Sequence, residues 1–301
     1  MDQDAKPIGQ GAAVPAGAGS ADDSPRFTFR RMAWVSDLHL NFCKAKKLDE
    51  FLALLAAEKP EALLVGGDTG EADSIEGYLR DLARRLAVPV FFVLGNHDFY
   101  GGSVAGVRRR IEALAKGSSD LHWLSRMGPV EIAPGVGLVG HDAWADGGYG
   151  DYASSRVRLS DHWLIEDLAG LDSGGRLRVM RTLGQEAAAH LRQVLPEALG
   201  RFETVVVLTH VPPFQEATWY EGRISDPYYL PHFSCKSTGD VLLEEARRRP
   251  DRKVLVLCGH THSPGRARLL PNLVVETGAA VYGAPSVERI LDLADLSPFF
   301  E

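Results

Sequence analysis

The sequence predicts an α/β fold, because short apolar runs alternate along the chain with segments of helical periodicity. Seven runs of five to seven residues are nearly continuous in apolar, often β-branched residues, as in strands that are covered on both faces. These runs lie at 32–36, 62–66, 90–94, 136–140, 204–210, 254–260 and 273–277. Strand and helix in alternation indicate an α/β domain.

The helical segments fall between these runs. Apolar residues recur with the i, i+3, i+4, i+7 spacing of an amphipathic helix at 48–55 and 75–82, and a similar pattern continues over 104–114. Gly117 is placed to end the third of these helices. Residues 237–249 begin with Ser, Thr and Asp before an apolar periodic run, which predicts a capped helix.

The chain divides into a tail and one domain. Residues 1–25 are rich in Gly, Ala and Pro, which predicts a flexible tail, and residues 26–301 are predicted to form a single domain. Residues 141–180 and 211–236 mix aromatic residues with Gly, Pro, Asp and Arg. Irregular segments of this length are often functional, so we expect ordered loops around the active site.

Composition limits the class of function. The formal charge of −7 argues against a nucleic-acid partner that binds a broad basic surface, without excluding one. A small phosphorylated substrate is the expected partner, because a local metal site can outweigh the net charge. No apolar run approaches the ~20 residues of a membrane span, and no signal peptide is evident, so no membrane partner is expected. The three cysteines, Cys43, Cys235 and Cys258, lack the spacing of a disulfide framework or zinc site, which favours a reducing, cytoplasmic location.

Polar side chains follow five of the predicted strands, where ligands bind in α/β sheets. They are carboxylate, amide and imidazole groups: Asp37, His39, Asp68, Asn96, His210, His260 and His262. Such groups bind Zn, Fe, Mn or Co. Seven ligands are too many for one tetrahedral zinc, but they fit two ions that share a carboxylate. Two divalent ions and two Asp leave a charge of about +2, which attracts phosphate.

The order of these motifs resembles the calcineurin-like metallophosphoesterase superfamily. The motifs are D-x-H at 37–39, G-D at 67–68, G-N-H-D at 95–98, His210, and G-H-x-H at 259–262. The resemblance implies a four-layer αββα sandwich, two mixed sheets flanked by helices, with a dinuclear site at the strand ends. It also implies two divalent or trivalent metal ions, Mn, Fe, Zn or Co, with Mn or Fe favoured.

The resemblance further implies a role for each residue of the site. One ion would be held by Asp37, His39, Asp68 and His262, and the other by Asp68, Asn96, His210 and His260, with Asp68 as the bridge. His97 would contact the scissile phosphate and the leaving group, and Asp98 would orient His97. Imidazole titrates in the range that suits proton transfer to a departing alkoxide, which independently supports this role for His97.

The sequence therefore predicts a metal-dependent phosphoesterase that hydrolyses phosphate mono- or diesters by attack of a metal-bound hydroxide, with His97 assisting the leaving group. Three alternatives stay open: a nuclease of the same superfamily, a catalytically weak scaffold or binding protein with this fold, and a metallohydrolase that acts on other esters or amides. In the long loops, His141, Trp144 and Arg223 are candidate substrate contacts. The alternative for the loop aromatics is that they pack the loops onto the domain.

Overall fold

The computed structural model describes residues 27–301, and the predicted tail over 1–25 lies outside them, so the boundary at residue 26 stays a prediction. In chain order the strands are β1 (Arg31–Val35), β2 (Ala62–Val65), β3 (Val90–Phe92), β4 (Leu121–Trp123), β5 (Val130–Ala133), β6 (Val136–His141), β7 (Thr204–Thr209), β8 (Trp219–Tyr220), β9 (Arg223–Ile224), β10 (Lys253–Cys258), β11 (Gly265–Leu270), β12 (Leu273–Thr277) and β13 (Arg289–Asp292). The helices are α1 (Ala45–Ala57), α2 (Ile75–Leu86), α3 (Val104–Lys116), α4 (Asp161–Leu164), α5 (Ser173–Arg201), α6 (Leu230–Phe233) and α7 (Lys236–Arg248). Within this part of the chain, none of the helices combines the length and apolar character needed to cross a bilayer.

Two mixed sheets form the centre of the fold. The first has the strand order β13-β1-β2-β3-β4, and the second has the order β11-β12-β10-β7-β6-β5. β1 to β4 pair in parallel, as do β6, β7, β10 and β12, whereas β13, β11 and β5 join their sheets antiparallel. A separate two-stranded hairpin, β8–β9, lies in the loop after β7.

Three apolar layers hold the sheets and helices together. Val35 and Val65 pack with α1, α2 and α3 on the outer face of the first sheet. Trp34 and Leu64, which alternate with them, face Val206 of the second sheet in the central layer. The outer face of the second sheet packs against α5 and α7. This is the four-layer αββα sandwich, so the predicted fold class is confirmed.

The strand register brings the predicted site residues to one edge. Val35 pairs with Val65, and Val65 pairs with Phe92, so that β1, β2 and β3 end side by side. In the second sheet Leu208 pairs with Leu257, so that β7 and β10 end together. Because the carboxyl ends of these parallel strands meet at one edge, the loops that follow them converge there.

The first long loop is shorter than the sequence suggested. Residues 173–180 of the predicted 141–180 loop belong to α5, a 29-residue helix that contains Pro196. Its first turn contains Gly174 and Gly175, which disfavour a helix and so obscured its N-terminus in the sequence. The Asp172 side chain caps the helix by accepting a hydrogen bond from Gly175 N at 2.6 Å. The apolar runs did not reveal six of the strands. Four of them lie at sheet edges, and two form the short hairpin: β4, β5, β11 and β13 at the edges, β8 and β9 in the hairpin. Such strands carry weaker apolar patterns.

The predicted helix at 237–249 is α7, but its own Ser, Thr and Asp residues do not cap it. The cap comes from Asp146, a buried residue of the first long loop. Its carboxylate accepts hydrogen bonds from Lys236 N at 3.1 Å, from Ser237 N at 2.7 Å and from Ser237 Oγ at 2.7 Å. Asp146 therefore joins the loop to the helix N-terminus, where negative charge is favourable.

Replacing Asp146 with Ala is expected to lower the free energy of unfolding by about 1–3 kcal/mol, because half-buried donors at the helix start lose a charged acceptor. Urea denaturation monitored by circular dichroism measures this change. Asp240→Ala is the matched control, since Asp240 makes an exposed ion pair with Lys236 on the same helix at 2.6 Å. The control should change stability by less than about 0.5 kcal/mol. Equal stability of the two variants would contradict the capping role of Asp146.

Candidate metal centre

The backbone holds five of the seven predicted ligands in the left-handed region. The φ angles are 49° at Asp37, 43° at His39, 50° at Asp68, 71° at His260 and 55° at His262. Only four other non-glycine residues of the described chain have positive φ. Each such residue costs about 1–3 kcal/mol unless its surroundings compensate, and strain of this kind clusters at functional sites. The strand ends are therefore shaped to direct these side chains.

One half of the centre brings two imidazoles and two carboxylates together. His39 Nε2 lies 3.0 Å from His262 Nε2, and His262 Nε2 lies 3.5 Å from Asp37 Oδ1. His39 Nε2 is 3.8 Å from Asp68 Oδ2. One ligand atom from each of these four residues lies within 4.8 Å of all the others, a spacing that a single metal ion can span.

The other half consists of His210, His260 and Asn96. His210 Nε2 is 3.0 Å from Asn96 Oδ1, and His260 Nδ1 is 2.9 Å from the same oxygen. The two ring nitrogens are 3.2 Å apart. His210 Nδ1 lies 2.9 Å from the carbonyl of Gly66, and His260 Nε2 lies 3.1 Å from the carbonyl of His232.

These carbonyls fix the imidazole tautomers. A carbonyl oxygen only accepts, so the ring nitrogen that faces it carries the hydrogen, and the other nitrogen of a neutral ring presents a lone pair. His210 Nε2 and His260 Nδ1 thus both direct lone pairs at Asn96 Oδ1, which is also an acceptor. Three acceptors within 3.2 Å repel one another unless a cation lies among them. The donor set of this half therefore fits a metal ion.

Asp68 lies between the halves. Its Oδ2 is 3.8 Å from His39 Nε2, and its Oδ1 is 3.5 Å from His210 Nε2. Burial, together with the nearby charges of Asp37 and Asp98, raises the pKa of Asp68 well above its usual value. A buried carboxylate that remains ionised beside another carboxylate needs cations close to it. The position of Asp68 fits a ligand that two ions share.

The imidazoles are held in their neutral, ligating form. Burial, opposed in part by the charge of Asp37, lowers the pKa of His39 to about 3. Burial and the neighbouring His210 ring lower the pKa of His260 to about 4. At neutral pH neither ring is in the protonated imidazolium form, so a metal ion does not have to displace a proton from the ligating nitrogen. This favours metal binding.

The sequence comparison agrees with this geometry. A sequence model described as calcineurin-like phosphoesterase matches residues 30–264, most of the chain. The chain belongs to the calcineurin-like phosphoesterase family. Family membership and the cluster of Asp and His side chains together support a divalent metal centre and a metal-dependent phosphoesterase. Among curated proteins, none matches the chain.

Solved structures share the fold of this phosphoesterase. A phosphopantetheinyl hydrolase from Mycobacterium tuberculosis superposes with a TM-score of 0.61 and 16% identity over 91% of this chain and 98% of that chain. A dimetal phosphatase from Danio rerio superposes with a TM-score of 0.54 and 16% identity, over 89% of this chain and 92% of that chain. A protein of Thermus thermophilus, TT1561, superposes with a TM-score of 0.55 and 14% identity, over 89% of this chain and 96% of that chain. At these identities the similarity shows the fold alone.

In this phosphoesterase His97 and Asp98 do not form the predicted pair. The carboxylate of Asp98 is fully buried and accepts hydrogen bonds from the backbone N–H groups of Thr69 and Gly70 at 2.9 Å and of Gly95 at 2.8 Å. No hydrogen bond joins it to the His97 ring among the described contacts. The prediction that Asp98 orients His97 is wrong, because its oxygens instead tie together the loops after β2 and β3.

The His97 ring is positioned by an aromatic neighbour. It stacks on Tyr100 with ring centroids 4.2 Å apart. Its Nε2 lies 4.0 Å from Asp68 Oδ2 and so faces the metal centre, whereas its Nδ1 is buried without a hydrogen-bond partner. This orientation is compatible with the predicted contact to a phosphate, and the contact itself stays a prediction.

Sequence reasoning missed Asp161, which the first long loop brings into the site. Asp161 Oδ1 accepts hydrogen bonds from Asn96 Nδ2 at 2.9 Å and from the Tyr100 hydroxyl at 2.6 Å. The bond to Nδ2 fixes the Asn96 amide so that Oδ1 faces His210 and His260. Asp161 lies 65 residues from Asn96 in a segment without a motif, so no sequence signal indicated this contact.

Replacing Asp161 with Ala is expected to weaken metal binding at the Asn96 half by about 10–100-fold, the usual effect of losing a group that orients a ligand. Metal titration against a chelator measures the affinity. Tyr100→Phe is the control, since it removes the hydroxyl but keeps the ring and the Asp161–Asn96 bond. Equal metal affinity of Asp161→Ala and Tyr100→Phe would show that Asp161 does not orient Asn96.

The three candidate substrate contacts lie in different places. His141 is buried, its ring lies 5.2 Å from that of His190, and it lines a cavity of about 840 Å³ between α3 and α5, outside the cluster of ligands. Trp144 is buried and packs on Phe99 at 5.6 Å, as the packing alternative expected. The prediction for His141 is therefore wrong. Trp144 also borders the cavity of about 10 Å³ beside Asn96, His210 and His260, and its contact with substrate stays a prediction. Arg223 is exposed on the β8–β9 hairpin, and its contact with substrate stays a prediction.

Proposed function

We propose that this protein is a dinuclear metal-dependent phosphoesterase that acts on small phosphate esters. The observation that carries the proposal is the convergence of two groups of acceptor atoms on either side of the Asp68 carboxylate. Asp37, His39 and His262 would complete one ion's ligands, and Asn96, His210 and His260 the other's. The N/O donor set suits Mn, Fe, Zn or Co, and Mn or Fe are the ions we propose.

Two bound ions would supply a water of lowered pKa and would offset the charge of the transferring phosphoryl group. The side chains do the rest. Ser36 Oγ donates to Asp37 Oδ2 at 2.6 Å, and His260 N donates to Asp37 Oδ1 at 2.9 Å, so this carboxylate is held in place. The carbonyls of Gly66 and His232 orient His210 and His260 in the same way. The centre is thus pre-organised by its surroundings.

His97 is the residue that we propose to assist the leaving group. Burial and the adjacent His39 ring lower the pKa of His97 to about 2, so the imidazole is neutral before substrate binds. A phosphate dianion beside the ring favours the charged imidazolium and raises this pKa. His97 would then donate a hydrogen bond to the phosphate and a proton to the departing alkoxide.

The proposal is tested by a substrate panel run with each metal. The panel contains bis-p-nitrophenyl phosphate, p-nitrophenyl phosphate, nucleoside monophosphates, cyclic nucleotides and glycerol phosphate, and matched carboxylic ester and amide substrates. Metal-dependent release of phosphate or alcohol from the phosphate esters, and none from the ester or amide set, is the expected result. Hydrolysis of only the ester or amide set would overturn it. No hydrolysis with any metal would favour a scaffold role.

The nuclease alternative has its own test. A nuclease that binds backbone phosphates with basic side chains shows affinity for single-stranded DNA that falls steeply with salt. The net charge of −7 disfavours such binding. Fluorescence anisotropy at low salt is expected to show no binding of a labelled oligonucleotide, and cleavage of that oligonucleotide with Mn²⁺ would favour the nuclease.

A further inference from the structure

An exposed aromatic pair flanks the metal centre on one side. The Tyr282 ring lies 4.5 Å from the His39 ring, 5.1 Å from the His262 ring and 6.1 Å from the His97 ring, measured between centroids. Phe42 packs edge-on against Tyr282 at 5.0 Å. Tyr282 is 50% exposed and Phe42 is 53% exposed. We call these two residues the aromatic wall.

The position of Tyr282 is fixed by its turn. Ala284 N donates to Val281 O at 3.0 Å, which closes a turn with Tyr282 as its second residue. The third residue, Gly283, has φ +74°, a conformation that side chains rarely adopt. Just before the turn, Ala280 N donates to the carbonyl of the ligand His262 at 3.2 Å. The turn therefore holds the ring at a set place relative to the metal centre.

The Asn96 half of the centre adjoins only a small cavity. Next to Asn96, His210 and His260, the loops place Asp161 and His232 around a cavity of only about 10 Å³. A cavity of this size holds about one water molecule and no part of an organic group. The alcohol of a phosphate ester bound at the metal centre does not fit into this cavity. The exposed rings of Phe42 and Tyr282, in contrast, offer an open surface beside His39, His262 and His97.

The wall is suited to a planar, uncharged group. Among the described residues, the rings within contact of Tyr282 belong to Phe42 and to three histidines. The cation–π contacts of the described residues involve other rings. The open face of an aromatic ring instead favours stacking with another ring, which is tolerant of the ring's identity.

We propose that Phe42 and Tyr282 form a leaving-group subsite that takes an aromatic or planar heterocyclic ring, such as a nucleobase or an aryl group, stacked on Tyr282. This proposal rests on the proposed phosphoesterase function and specifies its substrate class. The phosphate lies at the metals, the ester oxygen lies beside His97, and the ring of the alcohol covers the exposed face of Tyr282.

The kinetic test compares ring-containing and ring-free substrates. In Tyr282→Ala, KM for p-nitrophenyl phosphate or a nucleoside monophosphate is expected to rise by roughly 10–100-fold, the scale of losing one stacked ring. KM for glycerol phosphate is expected to stay within about threefold. Tyr282→Phe keeps the ring face and should retain the wild-type values. A uniform rise for all substrates, or none for any, would overturn the proposal.

Tyr228→Ala is the matched control, because Tyr228 is also 50% exposed but lies beside Ser154 and Arg156 on another part of the surface. It should leave both classes of substrate unaffected. If Tyr228→Ala shows the same selective effect as Tyr282→Ala, the effect does not come from the aromatic wall and the proposal is wrong.

A binding measurement separates this proposal from the proposed function. Calorimetry on the Mn²⁺-loaded protein should show phenylphosphonate binding at least ~10-fold tighter than methylphosphonate, and Tyr282→Ala should remove that difference. Neither ligand can be hydrolysed, so the result does not depend on turnover. If the protein hydrolyses no phosphate ester but still binds phenylphosphonate more tightly than methylphosphonate, the proposed phosphoesterase function is wrong and the proposed ring-binding subsite stands. Equal binding of the two phosphonates to the wild type would refute the subsite.

Discussion

Asp68→Asn is expected to remove both metal ions together and to lower phosphoester turnover by at least ~10³-fold. The carboxylate of Asp68 approaches imidazole nitrogens of both halves of the centre, through Oδ2 at His39 and Oδ1 at His210. Losing about 4 kcal/mol of the charge stabilisation that the ions provide corresponds to that change in rate. Metal analysis after gel filtration gives the stoichiometry, and turnover of bis-p-nitrophenyl phosphate gives the rate.

The same variant is expected to stabilise the protein when chelator is present. The raised pKa of Asp68 means that its ionised form is disfavoured in the fold, so its charge costs stability above that pKa when no cation offsets it. Asn removes this charge, and its Oδ1 can still accept the hydrogen bond that His97 N donates to Asp68 at 2.8 Å. The melting temperature should therefore rise relative to wild type in EDTA and fall relative to wild type in Mn²⁺.

His262→Ala is the control for the shared role of Asp68. His262 contacts only the His39 and Asp37 side of the centre, so this variant should lose one ion and keep the other. If Asp68→Asn also keeps one ion, Asp68 belongs to a single site. Two tightly bound ions in Asp68→Asn would show that it is not a bridging ligand.

The convergence of the seven predicted ligands was predictable from sequence because it depends on local chemistry. A buried strand ends abruptly, and the next residues must be polar to serve a site, so Asp37, Asp68 and Asn96 stand out beside apolar runs. The parallel arrangement of the strands then brings their ends together without further information. The left-handed backbone at five of the predicted ligands is a feature that the sequence alone did not show.

The contacts between distant segments were not predictable in this way. Asp98 adjoins His97 in the chain, yet its carboxylate is directed to backbone donors of the β2 loop. Asp161 and Tyr282 carry no motif, and their distance from the ligands in sequence conceals their contact in space. The helix α5 was hidden by Gly174, Gly175 and Pro196, which oppose helix locally but are tolerated where the other face packs on a sheet.

His97→Ala is expected to lower turnover by ~10²–10⁴-fold while both metal ions stay bound, the scale of losing an acid–base group. Among the described contacts the His97 ring makes no hydrogen bond to a predicted ligand, and its Nε2 lies 4.0 Å from Asp68 Oδ2. Its backbone N–H, which donates to Asp68 at 2.8 Å, remains in the Ala variant, so removing the ring should not empty the centre. Metal analysis and turnover of the same preparation measure both quantities. His122→Asn is the control, because His122 stacks on Phe91 at 4.6 Å, away from the metal centre, and should leave turnover unchanged.

The dependence on leaving group decides what His97 does. If it gives a proton to the departing alkoxide, the loss in His97→Ala is largest for alkyl esters, whose alkoxides are poor leaving groups, and smallest for p-nitrophenyl esters. If it only binds the phosphate, the loss is the same for both. We expect the first result, and added imidazole should partly restore turnover by occupying the space beside Tyr100. An equal loss across leaving groups would assign His97 to phosphate binding alone, and full activity would remove it from the mechanism.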